Sequence, residues 1–127
     1  IDMDVELVSK DDLLANADFI SLHIPFIKSE GPALAEEEFG KMKDGVIIIN
    51  CARGGTIKES ALLEALNSGK VLRAAIDVYE NEPAGDAQKP LIDHPNVSVT
   101  PHIGASTLEA QERVGTEIAQ KVIDALK

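Results

Sequence analysis

Tryptophan is absent, and three phenylalanines and one tyrosine are the only aromatics in 127 residues. Any core must therefore be built from branched aliphatics and alanine. The apolar share of 44% is still ordinary for a globular chain, which excludes a disordered one. Cys51 is the only cysteine, so no disulfide forms within the chain, and a reducing, cytoplasmic setting is expected. No apolar run approaches the ~18 residues of a membrane span, and nothing has the layout of a signal peptide. Basic residues are in the minority, 12 against 22 acidic, for a net charge of -10. With no local basic patch, that charge argues against nucleic acid and membrane surfaces as partners.

What is present is an alternation of apolar runs and helical patterns. Four runs, Phe19 to Ile24, Val46 to Ile49, Ala74 to Val78 and Val97 to Val99, read as buried parallel strands. Between them, Ser9 to Asn16, Ala35 to Met42 and Glu59 to Asn67 space their apolar residues as helices do. Thr56 and Glu59 have capping-box spacing for the third helix, and Gly69 stops it. Ser106 and Glu109 repeat that spacing before a long amphipathic segment carrying Val114, Ile118 and Val122 on one face, out to Leu126. One α/β domain with a doubly wound parallel sheet and right-handed crossovers follows. At this length such a domain buries roughly two-thirds of its unfolded surface.

Ligands of open parallel sheets bind beyond the carboxyl ends of the strands. Four segments fall there: His23-Ile24-Pro25, Asn50 to Gly55, Asp77 to Pro83, and Pro101 to Gly104. Arg53 offers a planar fork suited to a carboxylate, and Gly54 and Gly55 permit close approach of a ligand to the backbone. A surface ion pair is the plainer reading of Arg53. His102 precedes the Ser106 helix, whose positive end lowers an imidazole pKa. Glu82 counters this if it hydrogen-bonds the ring, holding its pKa in a range useful for proton transfer; otherwise it is a solvated turn residue beside Pro83. Asp77, at the end of a buried strand, needs a donor. That donor is a cofactor group or a backbone amide. Cys51 lines or packs the turn, since no histidine adjoins it. The three histidines and one cysteine lack metal-ligand spacing, and His94 reads as a surface loop residue.

The runs Asn-Cys-Ala-Arg-Gly-Gly, Asp-x-x-x-x-Glu-Pro and Pro-His-x-Gly-Ala-Ser-Thr-x-Glu-Ala-Gln, in that order, resemble the D-2-hydroxyacid dehydrogenase family. The last of them is similar to its phosphoglycerate-oxidising members. The resemblance spans about Val5 to Lys127. It implies a Rossmann-like nucleotide-binding domain with NAD as cofactor and a small 2-hydroxy acid as substrate, 3-phosphoglycerate on the way to serine. Arg53 would hold the substrate's carboxylate, His102 would carry the proton, and Glu82 would be its partner. Ile24, Cys51, Ala52, Arg53, Asp77, His102, Gly104 and Ala105 would surround NAD, and the full-length enzyme would be a homo-oligomer. Thr56 stands where the family has an aliphatic residue, and Lys58 where an acidic one is common. The stretch from Phe26 to Leu34 lacks the family's threonine.

No G-x-G-x-x-G occurs, and no acidic ribose reader follows one. The expectation is therefore that residues 1–127 are the later half of an NAD-binding domain, with the glycine-rich first half and the substrate domain lying outside them. A strand near Val5 to Val8 would lack its neighbours. A non-enzymatic NAD-sensing corepressor of the same fold is the alternative function.

Overall fold

The computed structural model describes residues 3–127. Four strands, β1 (Phe19–Leu22), β2 (Val46–Asn50), β3 (Val71–Ile76) and β4 (Val97–Val99), form one sheet in the order β1-β2-β3-β4. Every pairing is parallel, with Phe19 beside Ile47, Ile48 beside Ala74 and Ala74 beside Val97. The helices are α1 (Lys10–Asn16), α2 (Glu36–Lys41), α3 (Glu59–Ser68), the short α4 (Lys89–Ile92) after a 3-10 turn at Asp86–Gln88, and α5 (Leu108–Ala125).

Alternation along the strands explains the layering. Ile20, Leu22, Val46, Ile48, Val71, Ala74 and Ile76 point to one face and are buried with Leu14 of α1, Phe39 of α2, Leu62 and Leu66 of α3 and Leu91 of α4. Burying side chains such as Ile48 and Leu62, 0% and 1% exposed, contributes about 1.5–3 kcal/mol each. The opposite face is open: Phe19 is 67% and Leu72 51% exposed. The sheet thus has a Rossmann-like α/β arrangement with α1 to α4 packed on a single side. The α5 helix buries none of its residues, and Val114, Ile118 and Val122 lie on its surface.

Local signals account for most boundaries. The Ser9 hydroxyl caps α1 by accepting from the Asp12 N–H at 3.1 Å, and Gly69, at φ 83°, closes α3 in a left-handed conformation that suits glycine. Val5 to Val8, where any strand was expected to lack its neighbours, form none and are exposed. Other signals misled. The strand expected over Ala74 to Val78 begins at Val71 and ends at Ile76, and β1 stops at Leu22. The Thr56–Glu59 box does not form. Lys58 is the N-cap of α3 without a side-chain bond, because both expected members are engaged elsewhere, Thr56 inside the β2 turn and Glu59 with Glu80. At α5 the cap is Thr107, whose hydroxyl accepts from the Ala110 N–H at 3.1 Å, one residue after Ser106.

Candidate active site

Because all four strands run the same way, the turns after β2, β3 and β4 gather at one edge of the sheet. The β2 turn is built around the buried Asn50, only 3% exposed. Its amide Nδ2 donates to the Thr56 hydroxyl at 3.0 Å and its Oδ1 accepts from the Ala52 N–H at 3.1 Å. Thr56, 1% exposed, donates in turn to the Arg53 carbonyl at 2.6 Å. The Arg53 backbone is thereby clamped while its side chain reaches outward.

Arg53 is exposed, and its Nη1 donates only to the Ala52 carbonyl at 2.7 Å. It forms no ion pair among the described residues. With Pro25, Phe26, Gly54, Tyr79, Glu80 and Glu82 it lines a cleft of about 410 Å³. The glycines of this turn do not wait for a ligand, contrary to expectation. A Cβ on Gly54 would lie 1.7 Å from the Tyr79 carbonyl oxygen, and one on Gly55, at φ 90°, 2.9 Å from the Phe26 ring. It is the protein's own backbone and side chain that approach so closely.

Glu82 and His102 meet: the Glu82 Oε1 is hydrogen-bonded to the His102 Nδ1, and Glu82 Oε2 accepts from the Tyr79 N–H at 3.4 Å. The two side chains are 35% and 37% exposed, so the pair is open to a ligand from one side. A carboxylate at Nδ1 fixes that nitrogen as the donor and leaves Nε2 as the nitrogen for external chemistry. His102 has φ 55°, a left-handed conformation costing a non-glycine residue about 1–2 kcal/mol. Its backbone N–H donates to Asp77 Oδ1 at 2.9 Å, which holds it there.

Asp77 lies one residue beyond β3 and is half-buried rather than enclosed. Of the two donors foreseen for it, the backbone amide is present, joined by the Thr100 hydroxyl at 2.5 Å. The Thr100 hydrogen bond, then the His102 N–H and ring, hold its carboxyl below the usual carboxylate range. Tyr79, buried, donates its hydroxyl to the Thr100 carbonyl at 2.7 Å, and burial pushes its phenol up, assisted by Asp77. A ring of contacts from Tyr79 through Thr100, Asp77, His102 and Glu82 back to Tyr79 thus joins the β3 and β4 turns.

Of the other expected residues, Ile24 is 43% exposed beyond β1, Cys51 is exposed and Ala52 half-buried after β2, and Gly104 and Ala105 lie exposed in the turn before α5. Sequence reasoning missed Asn50, Tyr79 and Thr100 as organisers of the site. The single tyrosine of the chain, two residues after Asp77, was the one signal pointing to them. His94 lies in the loop before β4, half-buried. Its Nδ1 accepts from the Asn96 N–H at 3.1 Å and its Nε2 pairs with Asn67 Oδ1 at 3.0 Å, tying α3 to the turn before β4. Among the described residues no cluster of metal-ligating side chains exists, and no helix is long and apolar enough to cross a membrane.

Comparison with known proteins gives the family and the fold. Residues 1–104 match the family model described as D-isomer specific 2-hydroxyacid dehydrogenase, NAD binding domain. Over 126 residues the chain is 52% identical to the hydroxypyruvate reductase of Thermotoga maritima, covering 98% of this chain and 41% of that protein. It is also 52% identical over 123 residues to D-3-phosphoglycerate dehydrogenase 2, chloroplastic, of Arabidopsis thaliana, covering 97% of this chain and 20% of the relative. A crystal structure of a glyoxylate reductase from Paecilomyes thermophila superposes with a TM-score of 0.81 at 42% identity, over 94% of this chain and 36% of that one. The chain therefore spans about two-fifths or less of the length of these relatives.

Proposed function

The chain belongs to the D-isomer-specific 2-hydroxyacid dehydrogenase family, whose NAD-binding domain it matches, and on that footing we propose that Arg53, Glu82 and His102 are the catalytic set of an enzyme interconverting a 2-hydroxy acid and its 2-oxo acid. The contact between Glu82 and His102 beside the cleft that Arg53 lines carries this reading.

Bound NAD supplies the hydride acceptor for C2 of the hydroxy acid, and its reduced form the donor in reverse. The chain's residues do the rest. Arg53, clamped at its backbone and with its guanidinium outside any ion pair among the described residues, binds the substrate carboxylate through two parallel N–H donors. His102 Nε2 takes the hydroxyl proton as the C2–H bond breaks and returns it on reduction. Glu82 stabilises the imidazolium so formed and fixes its tautomer. The residues at the strand ends suit the cofactor: Ile24 and Cys51 give exposed apolar contact, Ala52, Gly104 and Ala105 are small, and Asp77 uses only Oδ1 in its hydrogen bonds, leaving Oδ2 to accept from an amide or hydroxyl.

We take the substrate to be 3-phosphoglycerate, oxidised to 3-phosphooxypyruvate at the entry to serine synthesis. The motif around His102 and the identity to a phosphoglycerate dehydrogenase support it. Equal identity to a hydroxypyruvate reductase supports a second reading, reduction of a smaller unphosphorylated 2-oxo acid. Steady-state NADH oxidation by the full-length protein with phosphooxypyruvate, hydroxypyruvate and glyoxylate distinguishes them by kcat/KM. Equal values across the three overturn the phosphoglycerate assignment. Tight NAD binding with no turnover of any 2-oxo acid makes the protein a dinucleotide sensor instead.

A further inference from the structure

We infer that Glu80 is a positioning residue which, clasped to Glu59, sets the separation of Arg53 and Glu82 across their cleft. The inference rests on the catalytic roles proposed above. It starts from a reciprocal pair of hydrogen bonds, one of them at the start of α3, that the catalytic set does not account for. The Glu59 N–H, at the open start of α3, donates to Glu80 Oε1 at 2.8 Å, and the Glu80 N–H donates to Glu59 Oε2 at 2.7 Å. Each residue thus satisfies the other's backbone across 21 positions of sequence. The remaining Glu59 oxygen accepts from the Gln88 Nε2 at 3.1 Å, and the Gln88 Oε1 accepts from the Gly85 N–H at 2.9 Å. Gln88 is buried, 3% exposed, so the clasp is anchored beneath the loop that carries Glu82 and Pro83.

The placement of the clasp gives it a consequence for chemistry. Glu59 follows the Arg53 turn by six residues, and Glu80 precedes Glu82 by two. Arg53, Glu80 and Glu82 all line the same cleft. Gly54, next to Arg53, already lies against the Tyr79 carbonyl, next to Glu80. The two loops are therefore joined at two points, a steric one at Gly54 and a hydrogen-bonded one at Glu59 and Glu80. The first sets how near they come, and the second keeps them from drifting apart. Lys58, the N-cap of α3, makes no side-chain capping bond and pairs with Glu36 at 2.6 Å, so the carboxylate at the start of the helix is that of Glu80.

The test is a mutant cycle in the full-length enzyme, read as kcat/KM for the preferred 2-oxo acid with NADH. Glu80→Ala should lower it on the order of tenfold, since misplacements of about 1 Å cost up to about 10²-fold. Glu80→Gln, which keeps an acceptor for the Glu59 N–H, should recover most of the loss. In an Arg53→Ala background, where no guanidinium remains to be positioned, Glu80→Ala should add less than about twofold. The same penalty in both backgrounds, or none in either, overturns the inference. Should Glu80→Ala fail to fold, Glu80→Asp, one methylene too short to reach, is read in the same cycle. A crystal structure of the Glu80 variant answers without turnover: the Glu82–His102 contact or the Gly54–Tyr79 approach is lost if the clasp positions the site, and both persist if it does not. A wild-type enzyme that reduces no 2-oxo acid defeats the proposed function while leaving that structural test intact.

Discussion

Gly54→Ala is the substitution for which the structure gives the most definite magnitude. The added Cβ would stand 1.7 Å from the Tyr79 carbonyl oxygen and 2.5 Å from its carbon. An unstrained carbon-to-oxygen contact is roughly 3.3 Å, so the Arg53 and Tyr79 segments must part by about 1.6 Å. Neither side gives cheaply, because the obstacle is backbone and both segments are pinned, one by Asn50 and Thr56 and the other by Glu59 and Thr100. Overpacking of this kind costs about 3 kcal/mol, which for a domain of this size lowers Tm by roughly 10–15 °C. The displacement also separates Arg53 from Glu82, so the surviving folded protein should lose about 10²-fold in kcat/KM. Gly40→Ala is the matched control. Gly40 sits inside α2 with nothing within 4 Å of its added Cβ, and the change should stabilise by about 0.5–1 kcal/mol. Thermal and urea unfolding of the two full-length variants beside wild type measures both. If Gly54→Ala unfolds within about 0.5 kcal/mol of wild type, the close approach of the two turns is not a constraint and the reasoning fails.

Three further outcomes are expected. His102→Ala should lower kcat by about 10²- to 10⁴-fold, the usual worth of a positioned acid/base, and an unchanged kcat removes His102 from the mechanism. Arg53→Ala should act mainly on kcat/KM through lost carboxylate binding, so a normal value with the preferred substrate would show that another cation holds it. Asp77 has a lowered folded pKa, so its ionised form stabilises the fold at pH values above the ordinary aspartate range. That contribution is lost as pH falls through the folded value; Asp77→Asn should flatten the acid limb of unfolding free energy against pH, and identical limbs would show that Thr100 and His102 do not hold the carboxylate as described.

The strands and main helices were legible because their burial is one-sided and regular. Ile48 and Leu62 follow from periodicity alone, and Ser9 and Gly69 act where local chemistry places them. Outside the motifs, what could not be read was where a residue's partner lies far along the chain. Glu59 has the spacing of a capping box with Thr56, yet its partner is Glu80. Gly54 and Gly55 look like room for a ligand, yet Tyr79 and Phe26 fill that room. The start of β3 was hidden because Leu72 and Arg73 face solvent and interrupt the apolar run, and α4 because four residues beginning Lys-Pro carry no helical period. At the site, the motifs led to Glu82 and His102, and the structure brings them together. Thr100 was not visible in the same way, since its hydroxyl and carbonyl act only on the neighbouring β3 turn, and Asn50, whose partners Ala52 and Thr56 are local, carries no motif that singles it out.

The sheet order has a bearing on how the molecule comes into being. Each strand lies beside the one immediately before it in the chain, across residues 23–45, 51–70 and 77–96. Among these four strands, none has to thread between two others already paired, and each pairs with the one just before it. A growing polypeptide emerging from the ribosome offers each new strand a ready edge, with the helix just made already lying over it. Such short closures favour rapid, stepwise assembly over a search among remote partners. Among these four strands, the rim on which Arg53, Glu82 and His102 stand closes when β4 docks and the turn after it is drawn against Asp77.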